Sequence, residues 1–315
     1  MKSVTVVVTT KNDEKIIKKC VDSILKQSYK NKKIYITVAK SSTDKTYDIL
    51  KTYGKKIILE RIVGNRPESY NKMLKKVKTD YVAFTDGDAV CDKNWLKHLI
   101  SSFEPGVVAV GGMIKNPKSE NKLQELVGRE LEYRFSKLPK QVARLPTMNL
   151  CVVIKFAKQE KFNEELRVAQ ETDWGYKLGK HGITLFNPKA IVWHYHRASW
   201  KNYFKQQYLY GKNVPSVYLT KQNIGKIVGD EVSDSMMPFQ IGMMGLLFGF
   251  IFLGFFNLDY AILALIPFTA LMISFIDYGH KIAKSIPELL YLILIFFVRT
   301  LAWGFGILFG LVKVF

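Results

Sequence analysis

The chain has 315 residues, of which 48% are hydrophobic, and a formal net charge of +20 at pH 7. This length supports a sizeable core and more than one structural unit. The positive charge indicates an anionic partner, which is a membrane surface, a phosphorylated substrate or a nucleic acid. The sequence lacks zinc-finger spacing and an aromatic RNA-binding signature, which argues against nucleic acid. The three scattered cysteines predict neither a disulfide framework nor a zinc site.

The first half of the chain alternates between strand-like and helix-like segments. The pattern predicts strands at residues 4–9, 34–38, 57–59, 81–85 and 107–110, with the last strand ending at Gly111-Gly112. It predicts helices at residues 13–27, 44–53, 68–77 and 94–103, with Ser42-Thr43 capping the second helix. Strands that alternate with helices of this length predict a doubly wound, mostly parallel α/β sheet.

Further elements follow up to residue 211. We expect helices at residues 119–135 and 170–181 and strands at 149–154, 183–186 and 190–193. Residues 199–211 place aromatic side chains at spacings of a helix and surround them with lysines. This face is typical of a helix that lies in a membrane interface, and equally of one that packs on its own domain.

Charged residues become rare after residue 236. Three apolar stretches cover about 237–256, 260–276 and 289–312, and a spanning helix needs about 20 apolar residues. The second stretch is short and contains Pro267, so it predicts a segment with little tilt or a re-entrant segment. The chain enters its first strand directly, without a secretory signal. We therefore expect residues 1–235 in the cytosol, with three crossings that leave the C-terminus outside, and Lys281 and Lys284 fit a cytosolic loop.

Asp86-Gly87-Asp88 stands directly after the strand at residues 81–85. In an open α/β sheet, ligands bind at the carboxyl ends of the strands. Carboxylate oxygens there suit Mg²⁺ or Mn²⁺, an ion that is commonly shared with substrate phosphates. The alternative is a polar turn, because Asp-Gly is also common in turns.

Two further polar groups occur later in the chain. Gln170-Glu171-Thr172-Asp173 opens a predicted helix, where carboxylates either favour the helix dipole or serve as a general base. His194 and His196 point the same way on a strand, and either is a candidate metal ligand. The guanidinium of Arg197 is suited to gripping a phosphate.

The order of these motifs resembles family 2 glycosyltransferases, which have the GT-A fold. The resemblance covers residues 3–213 and rests on several segments in sequence order. They are Val4–Glu14, Cys20–Tyr29, Ser42–Thr46, Asn71, Asp86-Gly87-Asp88, Phe162-Asn163-Glu164, Glu171-Thr172-Asp173, His194 and Gln206–Gly211. It implies a GT-A domain at residues 1–213, with interfacial helices within 199–235, followed by a transmembrane region at 236–315.

The resemblance also implies a reaction and its residues. A nucleotide-sugar donor would bind at one set of side chains, namely Thr9, Thr10, Asn12, Glu14, Lys40, Asn71, Asp86, Asn149 and Arg197. Asp86, Asp88 and His194 would hold Mn²⁺ or Mg²⁺ on the donor diphosphate. Glu171 or Asp173 would take the acceptor proton, with inversion at the sugar carbon. The acceptor would be a lipid-linked group, such as a polyprenyl or dolichyl phosphate, at the cytosolic face of the cell membrane.

The sequence departs from the family pattern at Ala39-Lys40-Ser41, where the family commonly has Asp-Asp-Gly. A carboxylate that helps bind the nucleotide is therefore missing, and the choice between a UDP and a GDP donor stays open. Two other functions remain as alternatives, a processive polysaccharide synthase and a catalytically inactive scaffold that binds a nucleotide. The oligomeric state is not defined by the sequence.

Overall fold

The computed structural model describes residues 1–166, 168–218, 230–232 and 236–312, and the chain divides into two units. The first unit comprises Met1–Pro117 and Arg134–Tyr195, and the second comprises Lys118–Tyr133 and His196–Phe315. Residues 118–133 therefore group with the C-terminal segments, which the sequence pattern did not suggest. The predicted domain limits at residues 213 and 236 stay a prediction.

One mixed sheet forms the centre of the first unit. Its strands lie in the order β3-β2-β1-β4-β8-β6-β9-β5, and β7 pairs with β9. Their bounds are β1 Val4–Thr10, β2 Lys32–Ala39, β3 Ile58–Ile62, β4 Tyr81–Asp86, β5 Ala89–Cys91, β6 Val107–Lys115, β7 Gln141–Val142, β8 Leu150–Val153 and β9 Ile183–His194. Strands β1 to β4 are mutually parallel, and β8 runs antiparallel between β4 and β6. The predicted mostly parallel α/β sheet is confirmed.

The strand order reverses at β1, which has β2 on one side and β4 on the other. All seven residues of β1 are buried, as expected for a β-branched run at the centre of a covered sheet. The register places Thr9 of β1 opposite Asp86 of β4. A reversal of this kind opens a crevice at the carboxyl ends of the two strands, where ligands bind in open α/β sheets.

Within the described residues, six α-helices accompany this sheet, and several start later than the sequence pattern predicts. Their bounds are α1 Ile17–Leu25, α2 Thr46–Lys51, α3 Arg66–Lys76, α4 Trp95–Ile100, α6 Ile154–Gln159 and α7 Gln170–Leu178. The predicted start of α1 at residue 13 is wrong, because Asn12 has a left-handed φ of 58° and residues 13–16 form a turn. Ser42-Thr43 does not cap α2, since both residues hydrogen-bond to Asn12 instead.

Strand β6 continues through Gly111-Gly112 to Lys115, so the predicted strand end at these glycines is wrong. A Cβ atom on Gly111 would lie 2.6 Å from the carbonyl oxygen of Asn149, and one on Gly112 would overlap the backbone of Ala190. The two glycines therefore allow neighbouring backbones to approach the strand closely, which is a known use of glycine inside a sheet.

The second unit is helical. It contains most of α5 (Lys122–Ser136), together with α8 Trp200–Tyr218, α9 Met236–Gly254, α10 Leu258–Leu263, α11 Leu265–His280 and α12 Ile286–Leu311. The apolar helices at the C-terminal end are confirmed, and in the part of the chain that the structure describes three segments are long and apolar enough to cross a membrane. These are Met236–Gly254, Leu258–His280 and Ile286–Leu311. The interfacial segment predicted within 199–235 contains residues 219–229 and 233–235, which lie outside the described residues.

The middle apolar segment has 23 residues, so the predicted 17-residue stretch was too short. It consists of α10 and α11, which meet at Ala264 with helical φ and ψ angles. Pro267 lies in the first turn of α11, where its missing N–H leaves the carbonyl of Leu263 without the usual partner. The proline therefore interrupts the hydrogen bonding of the segment without ending the helix.

Candidate active site

The motif Asp86-Gly87-Asp88 turns away from the end of β4 in the crevice beside β1. Asp86 is buried at the last position of the strand. A Cβ atom on Gly87 would lie 2.6 Å from Thr10 Oγ1 and 2.8 Å from Asp13 Oδ2. Only glycine fits at this point of the turn, so the two carboxylates are held on either side of a position without a side chain.

Asp88 and His194 are brought together by the pairing of β5 with β9. Ala89 lies opposite His194 in this antiparallel pair, and the Tyr195 N–H donates a 3.2 Å hydrogen bond to the Asp88 carbonyl oxygen. The Asp88 Oδ1 and His194 Nε2 atoms are 3.3 Å apart. His194 therefore joins the motif, whereas His196 belongs to the second unit.

The donor atoms of Asp86, Asp88 and His194 all lie within 4.8 Å of one another, close enough to share one cation. Carboxylate oxygens suit Mg²⁺ and Mn²⁺, and an added imidazole nitrogen is more compatible with Mn²⁺ than with Mg²⁺. These three side chains, which are the set expected from the sequence, therefore fit a divalent metal ion.

Arg66 is a charged neighbour that the sequence reasoning missed. Its Nη1 atom lies 3.4 Å from Asp86 Oδ2, and the nearby carboxylate raises the pKa of the guanidinium. Arg66 opens α3 behind a capping box formed by Asn65 and Glu68. The sequence Asn65-Arg66-Pro67-Glu68 is a helix-start signal, and it follows a strand whose carboxyl end faces the same crevice. A helix-start signal after such a strand is the sequence feature from which an arginine near the motif could have been predicted.

Glu171 lies in the first turn of α7 and is partly buried. Burial raises the pKa of its carboxyl, while the positive charges of Arg66 and Arg144 act in the opposite direction. Asp173, the other candidate base, forms a 2.7 Å ion pair with Lys177 one turn further along the helix. The two carboxylates therefore lie in different environments, and the environment of Glu171 suits a general base.

Asn71 ties α3 to the segment that contains Phe162 and Glu164. Its Nδ2 atom donates to the Phe162 carbonyl at 3.0 Å and to Glu164 Oε1 at 2.8 Å, and its Oδ1 accepts from the Phe162 N–H at 3.0 Å. The side chain amide thus holds a loop in place. A direct contact of Asn71 with the substrate stays a prediction.

The loops after β1 and β2 are joined by side chains that the resemblance assigns to the donor. Asn12 Oδ1 accepts the Thr43 N–H at 2.8 Å, and Glu14 Oε2 accepts the Lys45 N–H at 3.0 Å. The hydroxyls of Thr9 and Thr10 bond to Tyr70 and to Asp13 respectively. These residues therefore shape the loops beside the crevice, and their role in donor binding stays a prediction.

Three further residues assigned to the donor lie in different environments, and they are Lys40, Asn149 and Arg197. Lys40 is exposed directly after β2, at the same edge of the sheet as the carboxylates. Asn149 is 0% exposed, and its amide bonds to Trp95 Nε1 and to the carbonyls of Met113 and Ala190. Arg197 is an exposed residue of the second unit. Since the Asn149 amide is fully used inside the protein, we leave this residue out of the proposed site.

The family of the chain follows from its sequence. The model of the family described as "Glycosyl transferase family 2" matches residues 5–166, about half of the chain. The chain belongs to this family, and it is a glycosyltransferase.

Two curated relatives are glycosyltransferases by name. A protein of Methanococcus voltae named dolichyl N-acetyl-alpha-D-glucosaminyl phosphate 3-beta-D-2,3-diacetamido-2,3-dideoxy-beta-D-glucuronosyltransferase is 27% identical over 239 residues, which cover 67% of this chain and 72% of that protein. An uncharacterized glycosyltransferase of Rickettsia typhi is 24% identical over 60% of this chain, and the match spans 62% of the relative's length.

Solved structures agree in fold. The mannosyltransferase PcManGT from Pyrobaculum calidifontis, solved with GDP-Man and Mn²⁺, superposes with a TM-score of 0.62 at 14% identity, over 98% of this chain and 87% of that one. Residues 1–349 of S. aureus TarS, in complex with UDP-GlcNAc, give a TM-score of 0.52 at 15% identity, over 99% of this chain and 92% of that one. These likenesses confirm the GT-A fold.

Proposed function

We propose that the protein is a metal-dependent, inverting glycosyltransferase that moves a sugar from a nucleotide-sugar donor to a lipid-linked acceptor. The observation that carries the proposal is the grouping of Asp86, Asp88 and His194 at the crevice between β1 and β4. Family membership supplies the reaction class. The three apolar helices and the lipid-linked acceptor named for the Methanococcus voltae relative support a lipid acceptor.

The donor diphosphate would lie in the crevice between β1 and β4. A Mn²⁺ or Mg²⁺ ion held by Asp86, Asp88 and His194 would offset the negative charge of the departing nucleoside diphosphate. Arg66 places a fixed positive charge beside Asp86 and is itself 42% exposed in its side chain, so it is open to a bound phosphate. Lys40, at the same edge of the sheet, is a second candidate contact to the donor.

Glu171 would take the proton from the acceptor hydroxyl. Its raised pKa favours the proton-accepting role, because a more basic carboxylate takes a proton more readily near neutral pH. The positive charges of Arg66 and Arg144 limit this rise in the pKa of Glu171. Attack on the face opposite the leaving group would invert the sugar carbon. An acceptor phosphate would depend less on this base, since a phosphate is already ionised.

The catalytic unit would work at the cytosolic surface of the cell membrane. Nearly all of the net charge of +20 lies before residue 236, and a basic surface is attracted to anionic lipid headgroups. The membrane location and the cytosolic side remain part of the proposal.

A donor and acceptor screen on the full-length protein in lipid nanodiscs tests this function. The protein is incubated with Mn²⁺, a panel of UDP- and GDP-sugars, and either polyprenyl phosphate or a lipid-linked sugar, and nucleoside diphosphate release is measured. We expect one donor to give lipid-dependent release, and a glycolipid of inverted anomeric configuration by NMR. Release that is equally fast without any lipid acceptor, or a glycolipid with retained configuration, would contradict the proposal.

A further inference from the structure

Helix α12 packs against α8 through its glycines. A Cβ atom on Gly306 would overlap the Tyr208 carbonyl, and one on Gly310 would overlap the Lys212 carbonyl. A Cβ atom on Gly211 of α8 would likewise overlap the backbone of Trp303. Gly306 and Gly310 are four residues apart, which is the small-residue spacing that lets two helix backbones approach closely.

The two helices run in the same direction along most of α12. The Trp200 ring lies 5.8 Å from that of Tyr291 near the start of both helices. Further along, Gln207 Oε1 accepts a 2.9 Å hydrogen bond from Trp303 Nε1. Pro215 reaches Gly310 near the end of α12. Helix α8 is polar for a membrane segment, and its cations are Lys201, Lys205 and Lys212.

Helix α5 accompanies the first half of α12. Lys122 Nζ and Arg129 Nη1 contact the carboxylate of Glu288 at 3.1 Å and 2.6 Å. Eleven residues further on, Arg299 Nη1 lies 3.3 Å from Glu130 Oε1, and this arginine is 4% exposed. Residues 288–299 of α12 therefore lie alongside α5, a helix that carries several charges.

These contacts conflict with a membrane-spanning α12. If residues 288–299 stay at the surface with α5, only residues 300–311 remain, and twelve helical residues extend about 18 Å at 1.5 Å each. The hydrocarbon core is about 30 Å thick. If α12 crossed in full, the lysines of α8 would enter the hydrocarbon with it, where a cation near the centre is strongly unfavourable.

Chain direction gives an independent conflict. If α12 crossed outward, the parallel α8 would also end outside, and α9 would begin there, because the sequence of residues 219–235 is too polar and too short to cross back. Crossings by Met236–Gly254 and Leu258–His280 would then return the chain to the outside. Helix α12 would have to start outside and cross inward, opposite to the direction assumed.

The uncovered face of α12 is entirely apolar. Its exposed large side chains follow helical spacing on one side, and they are Ile286, Leu290, Leu294, Phe297, Phe305, Leu308 and Phe309. The remaining faces are packed against α5, α8, α9 and α11. One apolar face beside helices with lysines fits a helix that lies in the plane of a membrane surface, with acyl chains on one side and headgroups at its edge.

We propose that α12 lies within one membrane leaflet and does not cross the bilayer. The chain then crosses twice, at Met236–Gly254 and Leu258–His280, and the end of α12 stays on the same side as α5 and α8. This replaces the third crossing expected from the sequence. The inference rests on the membrane location in the proposed function.

Cysteine labelling in intact cells tests the inference on the full chain. Cys20, Cys91 and Cys151 are buried, so they give little background reaction with a membrane-impermeant maleimide. Three variants are compared: Asp259→Cys between the first two apolar segments, a cysteine added after Phe315, and Asp48→Cys in the catalytic unit. Asp259 and Asp48 are exposed.

We expect Asp259→Cys to be labelled in intact cells, and the other two variants to be labelled only after the cells are permeabilised. Labelling of the cysteine after Phe315 in intact cells, together with Asp259→Cys, would overturn the in-plane position of α12. Protection of Asp259→Cys in intact cells would instead contradict the two crossings and the membrane location itself. The two failures are therefore distinguishable.

Discussion

Gly87 shows how one residue without a side chain sets the geometry of the candidate site. We expect Gly87→Ala to lower transfer activity by about 100-fold, since displacing reacting groups by about 1 Å has an effect of this size. The added methyl group would lie 2.6 Å from Thr10 Oγ1, so the turn between Asp86 and Asp88 must shift. Gly304→Ala is the control, because its Cβ atom has nothing within 4 Å. Equal activity of the two variants would contradict the role of the turn.

Glu171 and Asp173 are distinguished by their surroundings. For a hydroxyl acceptor, we expect Glu171→Gln to lower kcat by about 10²–10⁴-fold with donor binding retained, the range for loss of a general base. Asp173→Asn should change kcat much less, because Asp173 is paired with Lys177. Steady-state kinetics and donor titrations check both. A larger effect at Asp173 would transfer the role of base to that residue.

The pH dependence of the reaction follows from the same carboxyl. A base is active when ionised, so the rate falls as pH drops through its pKa, and burial moves the pKa of Glu171 above the usual 4.5. Arg144 opposes that rise, so Arg144→Met should move the acidic limb of the kcat profile to higher pH. Lys19→Met, at an exposed position of α1, removes a positive charge elsewhere on the unit and should leave the limb in place. A limb that moves to lower pH in Arg144→Met would be inconsistent with this assignment.

Asn149 is assigned to the donor by the resemblance, and its side-chain amide forms hydrogen bonds inside the protein. Asn149→Ala would leave the Trp95 Nε1–H and two carbonyls without their partner, at about 1–3 kcal/mol for each buried group. We expect a marked fall in the melting temperature in detergent, whereas the exposed Asn202→Ala should melt like the parent. An unchanged melting temperature with a raised donor KM would instead favour the substrate contact predicted from sequence.

The candidate site could be predicted where its residues follow strands. Asp86, Asp88 and His194 each end or follow a strand, so sheet topology brings them together. Arg66 beside Asp86 and Arg144 near Glu171 were not found, because their positions depend on the packing of α3 and of the loop before β8. Sequence spacing carries little information on such contacts.

At the level of elements, α8 and α12 form a close pair in which glycines let the two backbones approach. Gly306→Leu should lower the melting temperature and the yield of monodisperse protein, because its side chain has no space against the Tyr208 carbonyl. Gly304→Leu, two residues away in open space, should behave like the parent or better, since leucine favours helix more than glycine does. Fluorescence-detected size exclusion during heating measures both. Equal melting of the two would argue against the close helix pair.

The elements themselves were predicted better than their ends. Strands such as β1 and β4 are apolar, β-branched runs whose burial selects one conformation. The start of α1 was missed because side chains from the next loop fix the backbone at Asn12. The continuation of β6 through Gly111-Gly112 was missed because the approach of Ala190 is a long-range contact.

At the scale of the whole molecule, the ordered motifs were sufficient to predict the GT-A fold, since each motif is local and their order follows the topology. The membership of residues 118–133 in the helical unit was not predictable in this way. It depends on ion pairs such as that of Arg129 with Glu288, which are 159 residues apart in sequence. A long apolar run is likewise long enough to span a membrane, but the helices packed against it determine whether it crosses the membrane.

The central claim is that Asp86, Asp88 and His194 hold a metal ion that binds the donor diphosphate. The most direct test is calorimetry of UDP and GDP binding to the full-length protein, with and without Mn²⁺. We compare the parent with Asp88→Ala and with Asp48→Ala, whose carboxylate is exposed and pairs with Lys51. We predict Mn²⁺-dependent binding of one nucleotide to the parent and to Asp48→Ala, and its loss in Asp88→Ala. Binding that is equally tight without Mn²⁺, or unchanged in Asp88→Ala, would contradict the account.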